Sequence, residues 1–492
     1  MASILPIAAI VALGAALRIA QLDQSLIGDE MWSYVGASSD SFGGMLDFVR
    51  SDQEITPPLF TAVVWLLNRI GDSTALLRLP SLLSGILVIP LVYAIALRTL
   101  GRRVALTAAA LAALSPFLAW YSIELRAYSL ALMLAAASTL CLLIAIDRNR
   151  FSWWAAYAAF TCAAMYTHYT VVYVLFAQFV WVVAFRPQAR RQVLLASAAA
   201  AVAFLPWVPG LLDDFDSPSQ DIFSQLAPFG WHNFGAFTVR FAFGNPGFDL
   251  SDFIGRGAEV ILAAGLVVAV VGLGIRWLGN GERQRLDGRR SHFVILFVML
   301  AAAAPLGNAL VSLIGDDQFL PRNLATSSTG VLLALATLLC AGGLITRIVS
   351  TTLVVGVFAY GSIKNLDPEY QRADYAGAAA FLDADAGPDD VILDVFGAAP
   401  YSQGVLSPAA GTLDVELEGS HQVVDLTGAP AAKQALAMAE GARLYVVGGP
   451  LLVGLTRKEL NLEDQEPVEQ RNFEGQPALT VQVFDIAMHS QR

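Results

Sequence analysis

Two adjacent carboxylates, Asp29-Glu30, stand in the stretch SLIGDEMWSYVGA, shortly after the first apolar segment of the chain. Such a pair can divide labour, one carboxylate taking a proton from a hydroxyl while the other orients a substrate or a cation. Two solvated loop acids would look the same. SPFLAWYSIELRAYSL at 115–130 adds Glu124, Arg126 and Tyr128, and Arg126 can fork two hydrogen bonds to a phosphate or serve as a membrane anchor beside Glu124. MYTHYT at 165–170 sets His168 between two apolar runs, as a ligand or as a hydrogen-bonded structural residue. GDDQFLPRNLATS at 315–327 supplies Arg322, which could hold a polyisoprenoid phosphate headgroup or be an interfacial anchor balanced by Asp317. SDQEITPPLF at 51–60 brings Asp52 and Glu54, acids suited to shaping the same site.

These groups have to be positioned by a membrane protein. The 492 residues are 56% hydrophobic and 14% charged, with mean hydropathy +0.58, which is outside the range of water-soluble globular chains. A spanning helix needs about 20 apolar residues. Eleven runs are long enough, near 3–20, 81–99, 104–121, 128–146, 152–168, 169–185, 192–210, 257–277, 292–314, 324–345 and 348–363. PPLFTAVVWLLNRI at 57–70 is shorter and opens on two prolines, so it reads as a helix lying in the interface.

Charge supports that reading. If 57–70 does not cross, then Arg98/Arg102/Arg103, Arg148/Arg150, Arg186/Arg190/Arg191, Arg276/Arg283/Arg285/Arg289/Arg290 and Arg347 all fall on the cytoplasmic side, as basic loops should. The loop 21–80, the turn 122–127, the loop 211–256 with Asp213-Asp214, His232 and the NPG at 245–247, and the tail then face outward. The expected division is a transmembrane domain over 1–363 and an external domain over 364–492. From Lys364 onward there are 20 acidic and 8 basic residues, a net charge of −12, and short β-rich runs (DVILDVF, RLYVVGG, ALTVQVFDI) follow the helical YAGAAAFLDADAG, which is the pattern of a small α/β domain.

An acidic tail on an apolar body excludes nucleic acid as a partner. Cys141, Cys162 and Cys340 sit in apolar runs and read as core residues. The first residues lack a basic leader and a cleavage site, and read as a retained helix. No H-x-x-x-H or Cys-His spacing marks a zinc site, so a metal would have to be assembled from His168 or His232 with distant carboxylates. Walker, Rossmann and nucleophile-elbow motifs are lacking from the sequence.

The DE pair after the first span, the acid-plus-PP entry to an interfacial helix, RLPS with GRRVAL, YSIELRAYSL, YTHY and FLPRN together resemble the GT-C membrane glycosyltransferases. The resemblance is to the family 39 and RgtA/B/C/D-like branch, similar to protein O-mannosyltransferases and the lipid A aminoarabinose transferase. It implies about eleven transmembrane helices, interfacial helices in the first external loop, and inverting transfer of a sugar from a polyprenyl-phosphate donor to an acceptor hydroxyl of a glycan, lipopolysaccharide or protein. It further implies a multi-pass protein of the bacterial inner membrane with its active site and tail on the periplasmic side. By the same resemblance Asp29 is the catalytic carboxylate with Glu30 beside it, and Arg126, Tyr128 and Arg322 hold the donor phosphate. Glu54, Glu124 and His168 are expected to bind substrate. A divalent ion at Asp29, Glu30 and His168 is left open. Asn323 departs from the tyrosine that usually follows the late arginine. A transporter or flippase of lipid-linked sugars is the alternative, but it would place charges at the bilayer midplane and show internal repeats. A receptor with a ligand-binding tail is the third.

Overall fold

A computed structural model describes residues 4–51, 54–215, 217, 229–279, 288–315, 317–395, 411–426, 429–475 and 477–487. The chain is a helical membrane protein with a small α/β part. By their internal contacts its residues form two units: 1–22 with 37–365, and 23–36 with 366–492. Thus the residues around Asp29 group with the tail rather than with the helices that flank them in sequence.

In the helical unit every one of the eleven apolar runs becomes helical. Among the described residues, seven helices are long and apolar enough to cross a membrane, or eight when the bent pair Arg102–Ala113 and Pro116–Ser122 counts as one span. Leu5–Ile19, Phe151–Met165 and Val171–Phe185 have 15 residues each, roughly 22 Å of helix and less than the hydrocarbon thickness. The sequence runs overestimated two of these because Tyr166–Thr170 leaves the helix in a pair of turns that carries His168. Residues 57–70 contribute a helix of only 10 residues, Leu59–Asn68, too short to cross.

The bent span has a definite cause. Its two halves meet at 57°, where Ser115 accepts from the Leu118 amide at 3.3 Å and Pro116 occupies the first turn of the second half. The break leaves carbonyls of the first half without helical partners. Arg18, fully buried near the end of the first helix, supplies them. Its guanidinium donates to Ala113 O at 3.0 Å, Ala112 O at 3.1 Å, Gly14 O at 2.8 Å and Ser122 Oγ at 3.0 Å. Asn365 donates to Pro116 O at 3.0 Å and accepts from Asn245 at 2.9 Å, so the NPG turn is tied to the same bend.

The tail unit is a five-stranded sheet of order β2-β1-β3-β5-β4. The strands are β1 (Val391–Asp394), β2 (Gln422–Asp425), β3 (Arg443–Gly448), β4 (Glu469–Phe473) and β5 (Leu479–Asp485). β1 is parallel to both β2 and β3, while β5 runs antiparallel to β3 and β4. Alternation sends Val391, Leu393, Leu444 and Val446 to one face, with Ala432, Ala435 and Val453. Ile392, Tyr445, Val481 and Val483 go to the other, against Tyr375, Ala378 and Leu382 of the helix Tyr375–Asp385. The three β-rich runs of the sequence are β1, β3 and β5. β2 and β4 are short and more exposed, which hides their pattern.

Arg18→Met should lower the unfolding midpoint of the detergent-solubilised protein by the equivalent of about 2–4 kcal/mol, since it strands the buried carbonyls of Ala112 and Ala113; Ser122→Ala should cost much less. An unchanged midpoint for Arg18→Met would rule out the capping role.

Candidate active site

The sequence candidates of the helical unit converge. Arg126 lies in the turn between Pro116–Ser122 and the helix Tyr128–Arg148, and its carbonyl accepts from Ser81 Oγ at 3.1 Å. Its guanidinium meets Glu54 face to face, Nη1 to Oε2 at 2.5 Å and Nη2 to Oε1 at 3.0 Å. The two side chains are 6% and 1% exposed. A fork of this kind fixes both groups in orientation. Thr56 donates to Glu54 Oε1 at 2.7 Å, and Leu59 N donates to Tyr166 O at 2.9 Å, which draws the entry to the short helix against the turn carrying His168.

His168 is buried. Its Nδ1 accepts from Thr170 N at 3.3 Å and faces Thr170 Oγ1 at 2.9 Å, so the ring hydrogen belongs on Nε2. The ring packs against Tyr128 at 5.3 Å between centroids, and Tyr128 packs against Tyr121 at 5.0 Å. Burial, followed by the positive fields of Arg126 and Arg322, holds the imidazole pKa down from 6.5 to about 3. The ring is therefore neutral at physiological pH. Arg322 is half-buried in the short helix Pro321–Leu324. Asn323 bridges structure there, donating to Gln318 O at 2.8 Å, while its carbonyl accepts from Asn308 at 3.2 Å.

Glu124 is half-buried in the same turn as Arg126, whose amide donates to the Glu124 carbonyl at 2.7 Å. Asp214, buried and bonded to the Tyr169 hydroxyl, lies within the electrostatic reach of Glu54. It was noted in the sequence only as part of a loop. His232 is exposed. Asp52 falls outside the described residues.

An apolar groove of about 400 Å³ adjoins this region, lined by Leu59, Ala158, Cys162, Tyr166, Ala199 and Ala203 among others. Small side chains on the helices Phe151–Met165 and Arg190–Phe204 leave the space. All three cysteines are free thiols.

In the tail unit, Gly28-Asp29 occupies a turn closed by Glu30 N donating to Ile27 O at 3.1 Å. Gly28 adopts φ +52°, where glycine is favoured. Asp29 is half-buried and Glu30, 1% exposed, begins the helix Glu30–Ala37. The Glu30 carboxylate is engaged by Arg372 at 3.4 Å and by the Ile27 amide at 3.2 Å. Both contacts fall on the same oxygen, Oε2. Among the described residues, no group of three or more His, Cys, Asp or Glu is arranged to hold a metal.

The structure of the apo oligosaccharyltransferase of Archaeoglobus fulgidus superposes with a TM-score of 0.50 at 12% identity, covering 93% of this chain and 71% of that one. The fold is that of the GT-C membrane glycosyltransferases. The chain is also similar to ArnT from Cupriavidus metallidurans in the apo state, with TM-score 0.44, 13% identity and 98% of each chain covered. For arabinofuranosyltransferase AftD from Mycobacteria the values are 0.42 and 16%, covering 99% of this chain and 40% of that one. The family model described as dolichyl-phosphate-mannose-protein mannosyltransferase matches residues 56–209. That segment holds Glu124, Arg126, Tyr128 and His168, and excludes Asp29, Glu54 and Arg322. No curated protein sequence matches the chain.

A histidine held neutral in the fold opposes acid. Its native pKa lies below the unfolded 6.5, so the stability it contributes is complete above pH 6.5 and is lost as pH falls toward 3, at about 1.4 kcal/mol per unit. Unfolding midpoints measured across that window should fall more steeply for the native protein than for His168→Asn; parallel curves would mean that His168 does not carry the shift. Glu54→Gln should destabilise by about 3–5 kcal/mol by leaving Arg126 buried without its counter-charge, measurable in the same assay.

Proposed function

We propose that the chain is an inverting glycosyltransferase that moves a sugar from a polyprenyl-phosphate donor to an acceptor hydroxyl of a cell-envelope glycan, lipopolysaccharide or protein. The observation that carries this reading is the buried fork of Arg126 on Glu54 at the turn that delivers Tyr128 to the ring of His168. Guanidiniums at the ends of apolar helices, with Glu54 fixing that of Arg126, suit an anionic headgroup. The neighbouring apolar groove suits the lipid chain. The family matched over 56–209 is described by a dolichyl-phosphate sugar donor, which supports the donor class.

In the proposed reaction the acceptor oxygen attacks the anomeric carbon as the bond from that carbon to the phosphate oxygen breaks. The hydroxyl proton passes to Asp29, and the lipid phosphate departs as an anion. That leaving group is stable without a general acid, so the site has to supply charge stabilisation. Arg126 and Arg322 are assigned to the departing charge. The Nε2–H of His168 and the hydroxyl of Tyr128 are assigned as neutral donors, and Glu124 to the substrate side.

The outer face is the proposed side of reaction. In the helices Leu79–Thr99 and Tyr128–Arg148, Arg98 and Arg148 stand at the ends opposite Ser81 and Tyr128, and basic ends belong in the cytoplasm. A bacterial inner membrane with a periplasmic site is the corresponding localisation.

Asp29→Asn should abolish transfer from a polyprenyl-phosphate sugar in proteoliposomes while the unfolding midpoint stays within a degree or two. Arg322→Ala should lower kcat by about 100- to 1,000-fold, the effect of removing one group that stabilises developing charge. Near-normal turnover of Asp29→Asn would sink the assignment of the base.

A further inference from the structure

The turn that presents Asp29 is built from both ends of the sequence. Its backbone closure, Glu30 N to Ile27 O, is doubled by the Glu30 side chain, whose Oε2 accepts from Ile27 N at 3.2 Å. The direction of Asp29 therefore depends on where the Glu30 carboxylate is held. It is held by Arg372, with Nε to Oε2 at 3.4 Å and both side chains 1% exposed. Arg372 is itself fixed to the same segment, because its amide donates to Gln24 Oε1 at 3.1 Å. Four residues later, Ser25 Oγ accepts from Ala376 N at 2.9 Å, in the first turn of Tyr375–Asp385. Ile27 packs against the cluster that Tyr375, Ala378 and Leu382 of that helix form with the sheet. A loop tethered at Gln24, Ser25, Ile27 and Glu30 has little freedom left for the residue between Gly28 and Glu30.

We infer that Arg372, acting through Glu30, is the positioning residue for the Asp29 turn, so that the α/β tail unit holds the catalytic loop. The inference rests on the proposed role of Asp29 as base. Glu30 is accordingly a strut within the protein, and Arg372, which lies beyond the last membrane helix, becomes part of the machinery of transfer. A misplacement of about 1 Å at a reacting group can cost roughly 100-fold in rate, so loosening the strut is expected to act on kcat.

Arg372→Met, Glu30→Gln and the double variant are compared in the full-length protein, with polyprenyl-phosphate mannose as the donor probe and amide exchange read over residues 24–31 and over β5. The expected result is a 10- to 100-fold fall in kcat with KM for the donor within twofold, faster exchange at 24–31 with β5 unchanged, and a double variant no worse than Arg372→Met. Arg372→Lys should recover part of the rate. Unchanged exchange at 24–31, faster exchange throughout the unit, additive losses in the double variant, or full kcat with a loosened turn would each overturn the inference. Asp29→Asn measured alongside separates the two readings. If it retains transfer, or if the native protein does not use the donor, the function proposed above fails, while the exchange data still decide whether Arg372 orders the turn through Glu30.

Discussion

The buried pair of Glu54 and Arg126 is the constraint on which the site depends. Two charges removed from water are tolerated when each is matched in distance and geometry, and a carboxylate gripped by both terminal nitrogens of a guanidinium meets that condition. The pair also joins segments that are far apart in sequence. It couples the entry to the short helix at Leu59–Asn68 to the turn after the bent span, and that turn in turn delivers Tyr128 to the ring of His168. Such a buried pair adds little net stability compared with apolar packing, but it fixes one arrangement of its surroundings.

Much of this architecture is legible in the sequence. Apolar length located the helices, and the distribution of arginines kept 57–70 from being read as a crossing helix, in agreement with its ten-residue length. The motifs around Arg126, His168 and Arg322 were found because polar residues at the ends of apolar runs stand out. Arg18 was missed for the opposite reason. It lies within a run whose hydropathy absorbs one charge, and its purpose appears only when the broken helix it caps is seen in three dimensions. Asp214 was likewise visible only as a loop acid, since its burial against Tyr169 depends on packing.

Glu30 illustrates a deeper limit. Adjacent acids in a sequence look like equal partners, whereas the fold gives them different surroundings. Helix geometry turns the Glu30 carboxylate back toward Ile27, and Arg372 reaches it from the far end of the chain. No local pattern reports a contact between residues so distant in sequence. The unit boundary has the same origin, because residues 23–36 find their apolar surface on the sheet face near Tyr375.

Local charge balance connects these observations. In a medium of low dielectric constant, each cation near a site has to be balanced by a fixed anion, by a bound ligand or by a neighbour that gives up its own proton. Arg126 has Glu54. His168 takes the last course, since burial beside Arg126 and Arg322 removes its proton and converts it from a third cation into a neutral hydrogen-bonding group. The arrangement limits the positive charge confined within the site while keeping the field that would attract a phosphate. Burial is the first cause of the neutrality of His168 and the two arginines add to it, so the imidazole's character is set by its packing as well as by its charged neighbours.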